Sequence, residues 1–169
     1  MTSPMYTNSV PVFKQLLTAA KTILATTAAE VAAKSMNADA FLQARLFPDM
    51  FPLVKQVQIA CDFARGVSAR LAGVDVPAHD GNEASFADLD ALLDKTLAFM
   101  AGLDAAKFDG AEGRDIVLRP GTPKERKLGG QAYLCAYGLP QFFFHVTTAY
   151  AILRHNGVAI GKKDYMGAY

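Results

Sequence analysis

The stretch PQFFFHVTTAYAILRHNG, residues 140–157, most constrains what this chain can fold into. Pro140 suits a first helical turn, where its missing N–H costs nothing. Gly157 suits the left-handed position just past a helix end, and His155 sits near the last carbonyls. Between them Phe142, Val146, Ala149 and Leu153 recur at helical spacing, so one face is apolar. His145 lies on the edge of that stripe. It is the only histidine of the three that a helical register turns inward.

Three further stretches carry the same period. Asn8 or Ser9 caps a first helix, with Pro11 in its opening turn. Phe13, Leu16, Leu17, Ala20, Leu24, Thr27, Ala28 and Val31 follow offsets of three and four, and the helix ends near Ser35. Residues 37–46 read as a short helix in a connection, capped by Asn37 or Asp39. The prolines of FPDMFP break the backbone, and Pro52 starts a second long helix. Its stripe is Leu53, Val57, Ala60, Ala64, Val67 and Leu71, and Gly73 closes it. Arg45 and Asp49 are placed to pair across the FPDMFP turn.

Residues 74–84 carry turn formers without periodicity, so they read as loop and His79 within them as solvated. Ser85 with Asp88 resembles a capping box. A third helix follows with Leu89, Leu92, Leu93, Thr96, Leu97 and Met100, ending at Gly102. Residues 104–129 are rich in glycine and proline. The run Ile116-Val117-Leu118 and the turn PGTP predict a short, exposed two-stranded excursion there. Gln131 to Tyr137 predict a helical turn or two, interrupted at Gly138-Leu139-Pro140. The tail VAIGKKDYMGAY has too many glycines for a helix, yet Ile160, Tyr165, Met166 and Tyr169 predict that it packs on something. Four amphipathic helices make an all-α four-helix bundle, with a short β-hairpin between helices three and four. Residues 1–169 are expected to form one domain.

Composition narrows the function classes. Apolar residues make up 51% and charged residues 20%, which suits a globular chain. Lys plus Arg is 17 and Asp plus Glu is 16, with no basic stripe, so nucleic-acid binding has no electrostatic support. Consecutive apolar runs are far short of the roughly 20 residues a membrane span needs. MTSPMYTNS has neither a basic nor an apolar region, so no signal peptide is expected. Cys61 and Cys135 are flanked by apolar residues and read as buried free thiols. A cytoplasmic protein fits these features.

Bundle sites are built from polar side chains that facing helices turn inward. Gln56 is three residues after Leu53 and four before Ala60, on the buried edge of helix two. Asp62 is nine residues past Leu53, which at about 100° per residue is the opposite face. It therefore reads as outward or at an interface. Gln141 sits one turn before His145. Tyr133, Tyr137 and Tyr150 either line a pocket or pack beside it. The ligand-binding candidates are Gln56, Gln141, His145 and Tyr150, with no cofactor and no metal site expected.

ARLFPDMFPLVKQVQIACDFARGVSARLAG and FFFHVTTAYAILRHNGVAIGKKDYMG resemble the two signature regions of a family of uncharacterised bacterial proteins, a domain of unknown function. That family is grouped with the DinB and YfiT-like four-helix bundles, and the resemblance runs over nearly the whole chain. It implies a DinB-like bundle fold. The wider superfamily includes thiol-dependent transferases and isomerases. Many members hold a divalent metal with one histidine from the second helix and a His-x-x-x-His pair on the last. His145 to Arg154 has the spacing of the second histidine of that pair to a Leu-Arg. Gln141 then stands where the first would be, and Gln56 stands near the place of the helix-two histidine. Glutamine is a poor ligand for zinc or nickel, so this set makes a hydrogen-bonding cluster instead.

The expected function is a DinB-like bundle that binds a small molecule in its core, the metal site lost or altered. One alternative is a non-enzymatic dimeric scaffold or stress-associated protein. The other, carried by the resemblance, is a metal-dependent thiol transferase or isomerase. A symmetric homodimer is expected because Phe142, Phe143 and Phe144 cannot all face one core. With Phe142 inward, Phe144 points outward, and the rival cover for it is the tail.

Overall fold

The four stretches of helical period become four long helices in a computed structural model that describes residues 3–169. The expectation about a leader rests in part on Met1 and Thr2, which lie outside the described residues. A single turn, α1 (Pro4–Thr7), precedes α2 (Val10–Ala33). Ser9 occupies the capping position of α2, but its hydroxyl donates back to the Met5 carbonyl at 2.5 Å instead of capping. Phe13, Leu16, Leu17, Leu24, Thr27 and Val31 are buried as the spacing predicts. Pro4–Ala33 is also long and apolar enough, by length and mean hydropathy, to cross a membrane. Its consecutive apolar runs stay short; the average is carried by alanines and aliphatic residues spread along the helix, as in a core helix. Here the stripe is spent inside the bundle, and Lys21 bridges Asp90 at 2.8 Å and Asp94 at 2.7 Å.

The short helix α3 (Ala38–Leu42) is capped by Asn37, whose side chain accepts from the Asp39 amide. Arg45 does not pair with Asp49; its guanidinium donates to the Met50 carbonyl at 3.3 Å. The turn is instead tied by the Leu53 amide to the Ala44 carbonyl, 2.9 Å. Helix α4 (Leu53–Ala72) buries all six residues of its expected stripe, and Gly73 closes it in the left-handed conformation. In α5 (Phe86–Ala101), Ser85 accepts from the Asp88 amide, and Asp88 accepts from the amide of Ala84, one residue before the cap.

Strands β1 (Asp115–Leu118) and β2 (Arg126–Gly129) pair antiparallel, with Ile116 opposite Leu128. The excursion is less exposed than its composition suggests. Ile116 and Leu118 turn inward, and Phe108 and Ala111 just before them are fully buried. Arg114 fastens it by donating to the Leu71 carbonyl near the end of α4.

The largest departure comes next. Gly138-Leu139-Pro140 does not interrupt the helix. Helix α6 (Gly130–Ala132) runs through a π turn (Tyr133–Gly138) into α7 (Leu139–His155) without a break. A π turn reaches back five residues instead of four, which relieves Pro140 of the bond and the clash that proline brings to an α-helix. Gly130, Leu134, Gly138 and Phe142 are all buried at intervals of four. In a plain α-helix that interval drifts about 40° each step, and the wider turn absorbs the drift.

Two glycines make the seam possible. A Cβ at Gly130 would lie 1.8 Å from the Ala111 carbonyl oxygen, and one at Gly138 would lie 2.7 Å from a Val67 methyl. The tail does form a short helix, α8 (Lys162–Met166), which lies on α2. Gln15 donates to the Met166 carbonyl at 2.8 Å. Helix α2 lies beside α5, α5 beside α4, and α4 beside α7, which closes the ring against α2.

Gly138→Ala is expected to cost stability even though alanine is the better helix former by about 1 kcal/mol. Val67 is fully buried and β-branched, so it cannot rotate away. Overpacking of this kind costs roughly 1–3 kcal/mol. Adding Val67→Ala is expected to cost less than the two single changes summed, as read in denaturant melts. A Gly138→Ala protein as stable as the wild type would show that the seam has slack.

Candidate functional site

On α7 the apolar stripe brings His145 to the seam with α4, where it is buried to 7% exposure. Its Nδ1 lies 2.7 Å from Oε1 of Gln56, which is itself 1% exposed. The amide nitrogen of Gln56 donates to the Phe51 carbonyl at 3.0 Å. A carbonyl only accepts, so the amide nitrogen must face Phe51 and the amide oxygen must face the ring. An amide oxygen also only accepts, so Nδ1 carries the proton. Burial pushes the imidazole below its ordinary value of 6.5. At neutral pH the ring is therefore uncharged, with the lone pair of Nε2 free of any partner among the described residues.

The structure thus brings together Gln56 and His145 but not the other two candidates. Gln141 is half-buried one turn away, and its side chain makes no hydrogen bond among the described residues. Tyr150 faces a different space. It lies edge-on to Tyr165 at 5.7 Å and lines an apolar cavity of about 20 Å³ with Val57, Val146 and Leu153. That volume holds about one water molecule and no metabolite.

Tyr133 and Tyr137, which the sequence left undecided, and Phe63, which it did not single out, continue the site along α4. Phe63 stacks on His145 at 5.9 Å, meets Tyr137 at 5.8 Å, and Tyr137 stacks on Tyr133 at 5.8 Å. The π turn sets Tyr133 and Tyr137 above one another. Phe63, Tyr133 and Tyr137 line an open cleft of about 230 Å³ between α4, the π turn and the hairpin. Burial raises the Tyr133 phenol, so it stays protonated.

A second polar cluster was also missed. His79 is not solvated: its side chain is 12% exposed, with Nδ1 3.0 Å from Asp62 and Nε2 3.0 Å from Glu83. Gln58 donates to Glu83 at 2.8 Å, and Arg65 pairs with Asp62. Burial raises the Glu83 carboxyl, but hydrogen bonds from His79, its own backbone and Gln58 outweigh it and hold the carboxyl below its usual range. The spacing of His79 to Glu83 and of Asp62 to Arg65 hinted at each half, but nothing local joins the loop to the helix. Asp62 does face outward, 49% exposed. Cys61 is buried, and burial pushes its thiol up to about 12, which closes thiolate chemistry to it. Cys135 is exposed, correcting the expectation that its apolar neighbours bury it; it sits on the outer side of the π turn.

The fold is an all-α, DinB-like bundle with a short β-hairpin before its last long helix. Residues 5–166 match a domain of unknown function, DUF1993, and the chain belongs to that family. A crystal structure of a DinB family member from Shewanella denitrificans superposes with a TM-score of 0.90 at 37% identity, over 97% of this chain and 92% of that one. No curated protein matches.

The three-histidine metal site of the superfamily does not fit these residues. Both polar ends of Gln56 are committed, one to His145 and one to Phe51. No three His, Cys, Asp or Glu residues are grouped to hold an ion among the described residues.

The native His145 ring holds its proton less tightly than the ring of the unfolded chain. Protonation therefore favours unfolding, and stability is lost as pH falls through about 6.5 towards the lower native value. Glu83, held low, contributes stability that is lost only below the usual carboxylate range. Melts between pH 7.5 and 5 are expected to slope for the wild type and to slope less for His145→Gln. Equal slopes would assign the titration to another group.

Proposed function

We propose that this chain is a small-molecule-binding DinB-like bundle that works without the superfamily metal, its ligand lying along the seam of α4 with the helix of residues 130–155. One observation carries this reading: the row His145, Phe63, Tyr137, Tyr133 links a neutral imidazole with an unused Nε2 to an open, aromatic-lined cleft. Convergence of a few polar groups on an aromatic surface is the usual make-up of a ligand site. The Gln56 relay fixes the ring and leaves the Nε2 lone pair uncommitted, so a ligand that extends from the cleft past Phe63 would meet an acceptor there. The same lone pair is a base should the ligand carry a labile proton. The π turn supports the reading, since such turns are frequent at functional sites. A metabolite library screened by thermal shift is expected to give hits that stabilise the wild type and stabilise His145→Gln less. A library without any His145-dependent hit overturns the proposal.

The dimeric reading has an observation of its own. Phe144 is 54% exposed, and the tail does not cover it: Tyr165 packs on Tyr150 and bonds to Thr147 at 3.0 Å. Phe51, 55% exposed, belongs to the same end of the bundle through its bond to Gln56. An apolar patch of this kind is suited to a second copy of the chain. Sedimentation over a range of concentrations is expected to show a dimer that Phe144→Asp weakens. A monomeric wild type at high concentration would reject it.

A further inference from the structure

The cleft beside Phe63 has a charge that points to its occupant. Arg70 and Arg119 both line it, and neither guanidinium is in an ion pair among the described residues. Asp62 is the one carboxylate on the wall. It is already paired with Arg65 and lies within hydrogen-bond distance of His79 Nδ1. The wall is therefore cationic.

Arg70 is held in place by the backbone. Its Nη1 donates to the Gly66 carbonyl at 3.0 Å and to the Tyr133 hydroxyl oxygen at 3.4 Å. A Cβ at Gly66 would lie 2.7 Å from that nitrogen, so the bare glycine lets the guanidinium lie along α4. Its remaining N–H groups have no acceptor among the described residues. Tyr133 is 1% exposed, and its oxygen accepts from Arg70, which leaves its own proton to donate. That proton too has no acceptor among the described residues. Arg119 comes from the first residue after β1 and holds a left-handed backbone at φ 51°, an uncommon conformation for a residue with a Cβ.

We infer that this cleft binds a small aromatic carboxylate, its acid group between Arg70, Arg119 and the Tyr133 hydroxyl and its ring on Tyr137 and Phe63. This rests on the ligand-binding reading above and adds the class of ligand. Arginine presents a flat fork of donors that matches a carboxylate, and the aromatic faces select a planar body. At about 230 Å³ the cleft is smaller than the roughly 300–1,000 Å³ usual for drug-sized ligands, which suits one ring and one acid group.

Titration calorimetry with sodium benzoate tests this. Hydrogen bonds to a charged group are worth roughly tenfold or more in affinity, so Arg70→Gln is expected to weaken benzoate about that much. Tyr133→Phe, which keeps the ring, is expected to weaken it several-fold. Arg119→Gln lies on the hairpin turn away from the core, so it reports even if Arg70→Gln fails to fold. Benzyl alcohol, with the ring but no charge, is expected to bind far more weakly, and inorganic phosphate not to displace benzoate. Benzoate that fails to bind, or binds equally to the wild type and Arg119→Gln, overturns the inference. Phosphate competing on equal terms also overturns it, since the ring would then count for nothing. A His145-dependent neutral hit alongside silent benzoate would sink only the ligand class and leave the binding site itself standing.

Discussion

The close approach of Gly138 to Val67 is the contact on which the rest of this bundle depends. It lets the backbone of the last helix come against α4 where a side chain would hold it off. With the two helices that near, Gln56 reaches both His145 and the Phe51 carbonyl, and Phe63 reaches His145 on one side and Tyr137 on the other. The two hydrogen bonds are short and directional. A seam wider by the radius of a methyl group would break the hydrogen bonds before it unpacked the rings.

Electrostatics divides the surface of α4 in two. Around Asp62, Arg65, His79, Glu83 and Gln58 close a hydrogen-bonded network that pins the loop of residues 74–84 to the helix. One turn on, beyond Gly66, Arg70 has only neutral oxygens for partners. The first region ties a loop to the helix, although Arg65 Nε is buried there without a partner; the second holds a guanidinium with no carboxylate beside it.

Much of the fold was legible because it is written in periods and caps. The stripe from Leu53 to Leu71, the Ser85 cap and the strand at Ile116 need only local chemistry, and each forms where its residues predict. Phe142, Phe143 and Phe144 are 0%, 38% and 54% exposed, as a rotation of about 100° per residue requires. The pairing of Gln56 with His145 followed from two stripes facing one another. Tyr150 was misjoined to them, although five residues past His145 is about 140° around the helix and the spacing said so. What was not legible is what depends on distant partners. His79 finds Asp62 only through the return of the loop onto α4. The π turn leaves no compositional mark, because Gly-Leu-Pro ordinarily announces a break. Its neighbours alone make it tolerable, through the buried glycine at the seam.

The π turn acts as a phase shift within one continuous helix. Within it, Tyr133 and Tyr137 keep step with the cleft; after it, Phe142, Val146 and Leu153 keep step with the core. A helix of strict α period ties all its residues to one clock, so a face suited to packing at one end dictates the face at the other. Here the two halves are set independently. Residues upstream of Gly138 can change to suit what the cleft holds while the hydrophobic register downstream stays as it is.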